Sequence, residues 1–231
     1  KNGVKLMEIS HNKTYFEKEL DYLNRADEIF ARAAGYGVKI NSIHLPFYPN
    51  LDLSSLNGEL RENTVAAFKK YLKAAASSGI GIAVVHPSIE PITDAERPAR
   101  FENSRESLKL LSEYAVDVGI RLAVENLPRT CLCNRHEETE RMLDFCIDNN
   151  IDYINAIGDK IITLHVSDYD FVDERHRLPT HGLNDWDGIL SALERANYSG
   201  PFMYETGTED GKLTLSDIKQ NGESLLRGTV K

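Results

Sequence analysis

The sequence predicts an α/β fold in which parallel strands alternate with helices and close as a (β/α) barrel, and three observations carry that expectation. Six short apolar runs recur along the 231 residues, finishing at Glu8, His44, His86, Glu125, His165 and Glu205. Successive ends are 36, 42, 39, 40 and 40 residues apart, and each interval holds at least one segment of helical periodicity. Such alternation gives a parallel sheet with right-handed crossovers, its strands' carboxyl ends gathered on one face. No glycine-rich phosphate loop follows the first run, which disfavours a nucleotide-binding open sheet and favours the barrel.

Taken in order, Val4–Ile9 reads as a strand, and Thr14 with Glu17 forms a capping-box pattern at the start of a helix. Apolar residues at helical spacing carry that helix to about Ala34, with Gly37 ending it. Val38–Phe47 is extended and stopped by Pro46, residues 48–62 read as a polar loop, and Asn63–Ser78 as a helix closing at Gly79. Ile80–Val85 is the third strand. A charged loop, 89–101, precedes a helix over Asn103–Val118, with Asn103 and Glu106 at its start and Gly119 at its end. Ile120–Val124 follows as a strand, then helix over Glu137–Asn150 and a short further helix over Ile151–Ile157. Lys160–Asp170 is a nearly continuous apolar run, expected to be buried on both faces. Asn184, Asp185 and Trp186 open a helix to about Ala196, Phe202–Tyr204 is the last strand, and Ser216–Leu226 an amphipathic helix. No linker or low-complexity segment divides the chain, so residues 1–231 read as a single domain.

Composition sets limits on function. Apolar residues make up 41% and charged residues 27%, as in ordinary globular proteins, and no apolar run approaches a membrane span. Net charge is −9, from 27 basic and 36 acidic residues, which counts against nucleic acid as the main partner. Cys131, Cys133 and Cys146 are too few for a disulfide framework, and no signal-peptide pattern stands at the N-terminus; a reducing cytoplasm is expected. Cys131-Leu-Cys133 lacks the second cysteine pair of a structural zinc site.

The strand ends carry the chemistry. Imidazoles and carboxylates gathered around a cavity suit one divalent ion, Zn, Mn, Co or Mg. Such an ion polarises neighbouring carbonyl and hydroxyl oxygens, and a carboxylate beside it can move a proton on the adjacent carbon. A lone strand-end histidine is commonly just a satisfied polar group, and Glu8 could simply pair with a cation. The recurrence of the pattern argues otherwise. Trp186 is expected in the core. The loop 171–182, with Asp173, Glu174, Arg175, His176 and His181, is either a solvated face or an active-site loop placed by the His165 strand.

The motifs IHLPF (43–47), VVHPS (84–88), LAVENLP (122–128), ITLHVSDYDFVDERHRLP (162–179), GLNDW (182–186) and YSGPFMYET (198–206) resemble the xylose-isomerase-like TIM-type barrel superfamily of sugar phosphate isomerases/epimerases and endonuclease IV. The resemblance implies metal-ligand roles for Glu125, His165 and Glu205. It makes Glu125 and Glu205 the acid/base pair of a sugar isomerase or epimerase working through a metal-stabilised enediolate. It implies substrate-pocket roles for His44 and His86, which bind additional zinc in the endonucleases, and substrate contact for Arg175 and His176. Asp168 becomes a support for His165 or for its loop. The family's fourth ligand comes from a strand between Glu125 and His165 that is not evident here. Asp148 is the candidate, either on a remnant strand or at a helix end. The family's first strand is not evident either, so the barrel is expected to be incomplete, either naturally shortened or missing segments of a longer chain, with omission the favoured expectation. The expected partner is a small sugar or sugar derivative, with no membrane and a homo-oligomer left open. The alternatives are an endonuclease IV-like DNA-repair enzyme with a multi-zinc site and a catalytically silent sugar-binding relative.

Overall fold

A computed structural model describes residues 3–10, 19–126, 129–134, 138, 142, 154, 158, 161–170, 175–207 and 211–227. The chain forms two compact units, Lys5–Asp144, and Lys1–Val4 with Phe145–Lys231.

In the larger unit, β1 (Leu6–Ser10), β2 (Lys39–His44), β3 (Ile82–Val85) and β4 (Arg121–Val124) form a parallel sheet in sequence order. The connections carry α1 (Glu19–Gly35), α2 (Gly58–Ser77) and α3 (Arg97–Val118). Strand side chains alternate between faces, and paired residues of neighbouring strands point the same way. One face presents Ile43, Ala83 and Val85 to a helix-packed core that includes Phe68, Leu72, Leu108 and Leu111, with Leu122 and Val124 against it. The other set comprises Glu8, Ser42, His44, Val84 and Ala123, linked by the registers Glu8↔Ser42, His44↔Val84 and Val84↔Ala123. The polar candidates therefore share the face turned away from the helices.

Two helices begin earlier than expected. α2 starts at Gly58 rather than Asn63, because the Asn57 side chain accepts from the Leu60 amide and caps it. α3 starts at Arg97 rather than Asn103, with Pro98 in its first turn, where a missing N–H costs nothing. Asn103 is thus interior, and its Nδ2 donates to the Ser55 carbonyl at 3.0 Å. Gly119 ends α3 at φ +77°, a left-handed position that glycine fills without strain.

The segment 51–55 is mostly buried rather than a polar surface loop. Asp52, 2% exposed, accepts from the amide and hydroxyl of Ser54 (2.9 and 2.7 Å), and its other oxygen takes Arg100 Nη1 at 2.7 Å. Ser107 Oγ donates to the Leu53 carbonyl at 2.9 Å. α3 therefore holds the loop that follows β2. Arg97 does the same for residues 130–134, donating to the carbonyls of Thr130 and Cys131 and pairing with Glu138. Of the expected helix over 137–150, Glu138 and Met142 are helical, and the rest lies outside the described residues, as do most of 151–157 and the capping pattern at Thr14.

In the smaller unit, β5 (Leu164–Val166) pairs in parallel with β6 (Phe202–Tyr204), and α4 (Trp186–Arg195) and α5 (Leu215–Leu226) follow them. The expected strand over Lys160–Asp170 is thus only three residues long. Residues 161–165 are half-buried, not enclosed on both faces. Leu164 and Phe202 pack with Ile189, Ala192 and Leu193 of α4, which puts His165 and Met203 on the opposite face. Asp185 caps α4 by accepting from Gly188 N, and Thr214 with Asp217 forms a capping box on α5.

Removing one partner of the Asp52–Arg100 pair strands a buried charge. Arg100→Met, which leaves Asp52 as that charge, should destabilise the protein by about 3–5 kcal/mol, read from urea unfolding, and the double variant Asp52→Ala/Arg100→Met should recover much of that loss.

Candidate metal and proton-transfer site

Each unit brings one glutamate against imidazole. In the larger unit, His44 closes β2, while His86 and Glu125 stand one residue beyond β3 and β4. His44 Nε2 lies 3.0 Å and His86 Nε2 3.6 Å from the same Glu125 oxygen, Oε2. The two rings are 4.7 Å apart, and Phe47 packs on His86 at 4.5 Å. His44 Nδ1 is 2.8 Å from the Leu45 carbonyl, which can only accept, so Nδ1 carries a proton and donates to it. Burial is the strongest single influence on His44 and opposes a charge on the ring. The hydrogen bond and charge of Glu125, the charge of Glu8 and the Leu45 carbonyl together outweigh burial and raise its pKa above the usual histidine value.

Glu8 is the third residue of β1, not its end. Its Oε2 accepts from Ser42 Oγ at 2.6 Å. Ser42, fully buried, is a residue that sequence reading overlooked. Its position two residues before His44 on a strand places it on the same face, and that was the signal.

In the smaller unit, His165 on β5 lies with Nδ1 3.1 Å from Glu205 Oε2, immediately after β6. The Glu205 amide extends the ladder to the Val166 carbonyl at 3.1 Å. The Glu205 side chain is 45% exposed, against 14% for Glu125. Tyr204 donates to Asn221 Oδ1 at 2.8 Å, and burial pushes its phenol up to about 12.

Asp168 is 2% exposed and faces its loop. Its oxygens accept from the amides of Tyr169, Thr180 and Asn184 and from the Trp186 indole N–H, at 2.7–3.1 Å. Trp186 packs against the α4 core, as expected, but it is half-buried and its polar edge serves Asp168. Arg175 is exposed and lies 3.5 Å from Asp170. His176 is half-buried, with its carbonyl taking the Gly207 amide at 2.8 Å. His181 is exposed. Asp148, Cys146, Asp173 and Glu174 lie outside the described residues. Cys131 and Cys133 are buried thiols.

The donors are imidazole nitrogens and carboxylate oxygens, the set that a divalent ion of intermediate hardness accepts. His44 Nε2 and His86 Nε2 each approach the same Glu125 oxygen, and neutral imidazole with carboxylate is a donor set that fits such an ion.

A model of the xylose isomerase-like TIM barrel family matches residues 1–227, and the chain belongs to that family. Among relatives, a protein of Sinorhizobium fredii, y4fM, is 24% identical over 185 residues, 71% of this chain and 60% of that protein. The chain thus spans less than two thirds of that relative's length. Among solved structures, a D-tagatose 3-epimerase-like protein superimposes with a TM-score of 0.76 at 21% identity, covering 97% of this chain and 89% of that one. D-psicose 3-epimerase from Clostridium cellulolyticum H10, solved with D-tagatose, gives 0.74 at 19% identity over 99% and 89%. At these identities the likeness is one of fold. Among the described residues, no helix is long and apolar enough to cross a membrane.

Proposed function

We propose that this chain is a divalent-metal-dependent sugar isomerase or epimerase, with residues 1–231 acting as one barrel domain. The observation that carries the reading is that Glu125 and Glu205, each at the carboxyl end of a parallel strand, both sit against an imidazole. Active sites of parallel barrels lie at that end. The epimerases among the structural neighbours supply the substrate class, a small ketose or related polyhydroxy carbonyl compound.

In this reading Glu125, His165 and Glu205 hold the metal, with Asp148 as a further ligand. When bound, the ion polarises the substrate's carbonyl and hydroxyl oxygens and so acidifies the carbon between them. One glutamate takes the proton from that carbon, and the other delivers a proton to give the isomerised or epimerised product through an enediolate. His44 holds Glu125 in place by its hydrogen bond. His44, His86, Arg175 and His176 contact the substrate, and Phe47 offers an apolar ring beside His86. A cytoplasmic setting fits the two buried thiols.

The pairing of both His44 and His86 with Glu125 also favours a second reading, an endonuclease IV-like centre with several zinc ions. Net charge of −9 opposes it, because phosphate binding needs a basic face. Metal content per chain, together with a cleavage assay on abasic DNA, separates the two. One metal and no cleavage removes the nuclease. Protein that neither carries nor recruits Mn or Zn leaves a silent sugar-binding relative.

Turnover is tested on D-tagatose, D-psicose and related ketoses in D2O with Mn2+, following deuterium entering the carbon beside the carbonyl. Glu125→Gln and Glu205→Gln should each lose about 10²–10⁴-fold in rate while keeping the wild-type circular dichroism spectrum. Wild-type rates in either variant overturn the acid/base roles. Mn2+ at about 100 times its Kd should stabilise the wild type by about 2.7 kcal/mol, and His165→Ala should abolish that gain. A thermal scan with and without chelator reads the difference.

A further inference from the structure

We infer that Asp168 is a positioning residue that presets the loop Arg175–Asn184 over Glu205; this rests on the proposed isomerase reading and deepens it. Two non-glycine residues of the loop occupy left-handed backbone, His176 at φ +45° and Thr180 at φ +75°. For a β-branched residue such as Thr180 this is a true outlier, and such strain persists only where surrounding contacts fix it. Both positions are fixed here by hydrogen bonds.

The Thr180 amide donates to Asp168 Oδ2 at 2.7 Å, the shortest of the four bonds that reach this carboxylate. Asp168 also bridges the loop through its backbone, donating to the Arg177 carbonyl at 2.8 Å. One residue away, the His176 carbonyl takes the amide of Gly207, two residues beyond Glu205. A line of bonds thus runs from Asp168 through the loop to the segment that carries Glu205. The far end of the loop is anchored as well, since Asn221 Nδ2 donates to the Pro179 carbonyl at 2.8 Å.

Gly182 closes over the carboxylate. A Cβ there would stand 2.4 Å from Asp168 Oδ1 and 2.6 Å from the Tyr169 carbonyl, so any side chain at 182 must displace the carboxylate or the turn. Among the described residues the donors to Asp168 are three backbone amides and one indole, and each requires an acceptor. Asparagine keeps one acceptor oxygen and turns an NH2 group towards N–H donors. The Asp168 carboxylate is therefore required for the geometry of a loop that carries the two side chains proposed to meet the substrate, Arg175 and His176.

The test compares Asp168→Asn, Gly182→Ala and Trp186→Phe with the wild type. With the most active ketose and Mn2+, Asp168→Asn and Gly182→Ala should each raise KM at least about tenfold, with kcat within about threefold and the Mn2+ Kd unchanged. Trp186→Phe, which leaves the three amide donors in place, should stay near wild type in KM. Trp186 is the sole tryptophan of the chain, so Asp168→Asn should also shift its emission. An unchanged KM in both Asp168→Asn and Gly182→Ala overturns the proposal, and so does a Mn2+ affinity that falls in step with KM. Should Asp168→Asn not fold, Gly182→Ala decides by the same measure. If the wild type turns over no ketose, the isomerase reading fails on its own. Hydrogen exchange then decides: loss of protection at Thr180, Asn184 and Gly207 in Asp168→Asn, with β5 retained, supports the preset loop, and unchanged Gly207 protection overturns it.

Discussion

The two-residue period of the strands is the constraint on which the rest depends. On β2, Ile43 goes to the helix-packed core while Ser42 and His44 go the other way. On β3, Ala83 and Val85 face the core, so His86, just past the strand, continues the other row. The same parity sends Leu164 and Phe202 to α4 and leaves His165 and Met203 opposite. A one-residue slip of any strand would exchange imidazole for aliphatic side chains on both faces. Packing against the helices and placement of the chemistry are one requirement. This is why stability and site geometry cannot be altered separately along these strands.

Beyond the strands, two buried carboxylates shape the loops, and they do so differently. Asp52 is paired with a cation, Arg100, which ties the loop after β2 to α3. Among the described residues, Asp168 accepts from neutral N–H groups, three backbone amides and the Trp186 indole. The first arrangement joins two elements and concerns stability. The second binds a loop to itself and concerns conformation. In neither does the carboxylate replace a ladder hydrogen bond; each takes amides or hydroxyls that a turn leaves unsatisfied.

The fold class and the strand-end residues were legible in the sequence because both follow from periodicity. Strand ends at His44, Val85, Val124 and Tyr204 fall within one residue of expectation, and Gly119 closes its helix as read. Helix starts were less legible. Asn57-Gly58 and the Pro98 region resemble loops in composition, and only the cap at Leu60 and the tolerance of a first turn for proline make them helical. The burial of Asp52 was hidden because Asp-Leu-Ser is turn composition, whether solvated or enclosed, and the Arg100 that encloses it lies 48 residues away. Lys160–Asp170 misled in the other direction: its apolar run is long, but only Leu164–Val166 finds a strand partner among the described residues.

The unequal exposure of the two glutamates gives the Asp168 loop its significance. Glu125 is enclosed by two imidazoles and its own sheet, and those neighbours limit the water that reaches it. Glu205 is 45% exposed beyond a short strand, and β5 and β6 cannot by themselves shelter it. In the proposed isomerase reading, a proton moved at carbon would have to be kept from exchange and side reaction by whatever covers the carboxylate. The described loop hydrogen-bonded beside Glu205 is the one over 175–184, whose His176 carbonyl takes the Gly207 amide. A freely moving loop would have to be ordered by each substrate at the expense of binding free energy. A loop already held at Thr180 by a buried carboxylate and at His176 by the Gly207 amide has met that entropy on folding, so the substrate contacts proposed for it would contribute fully to binding.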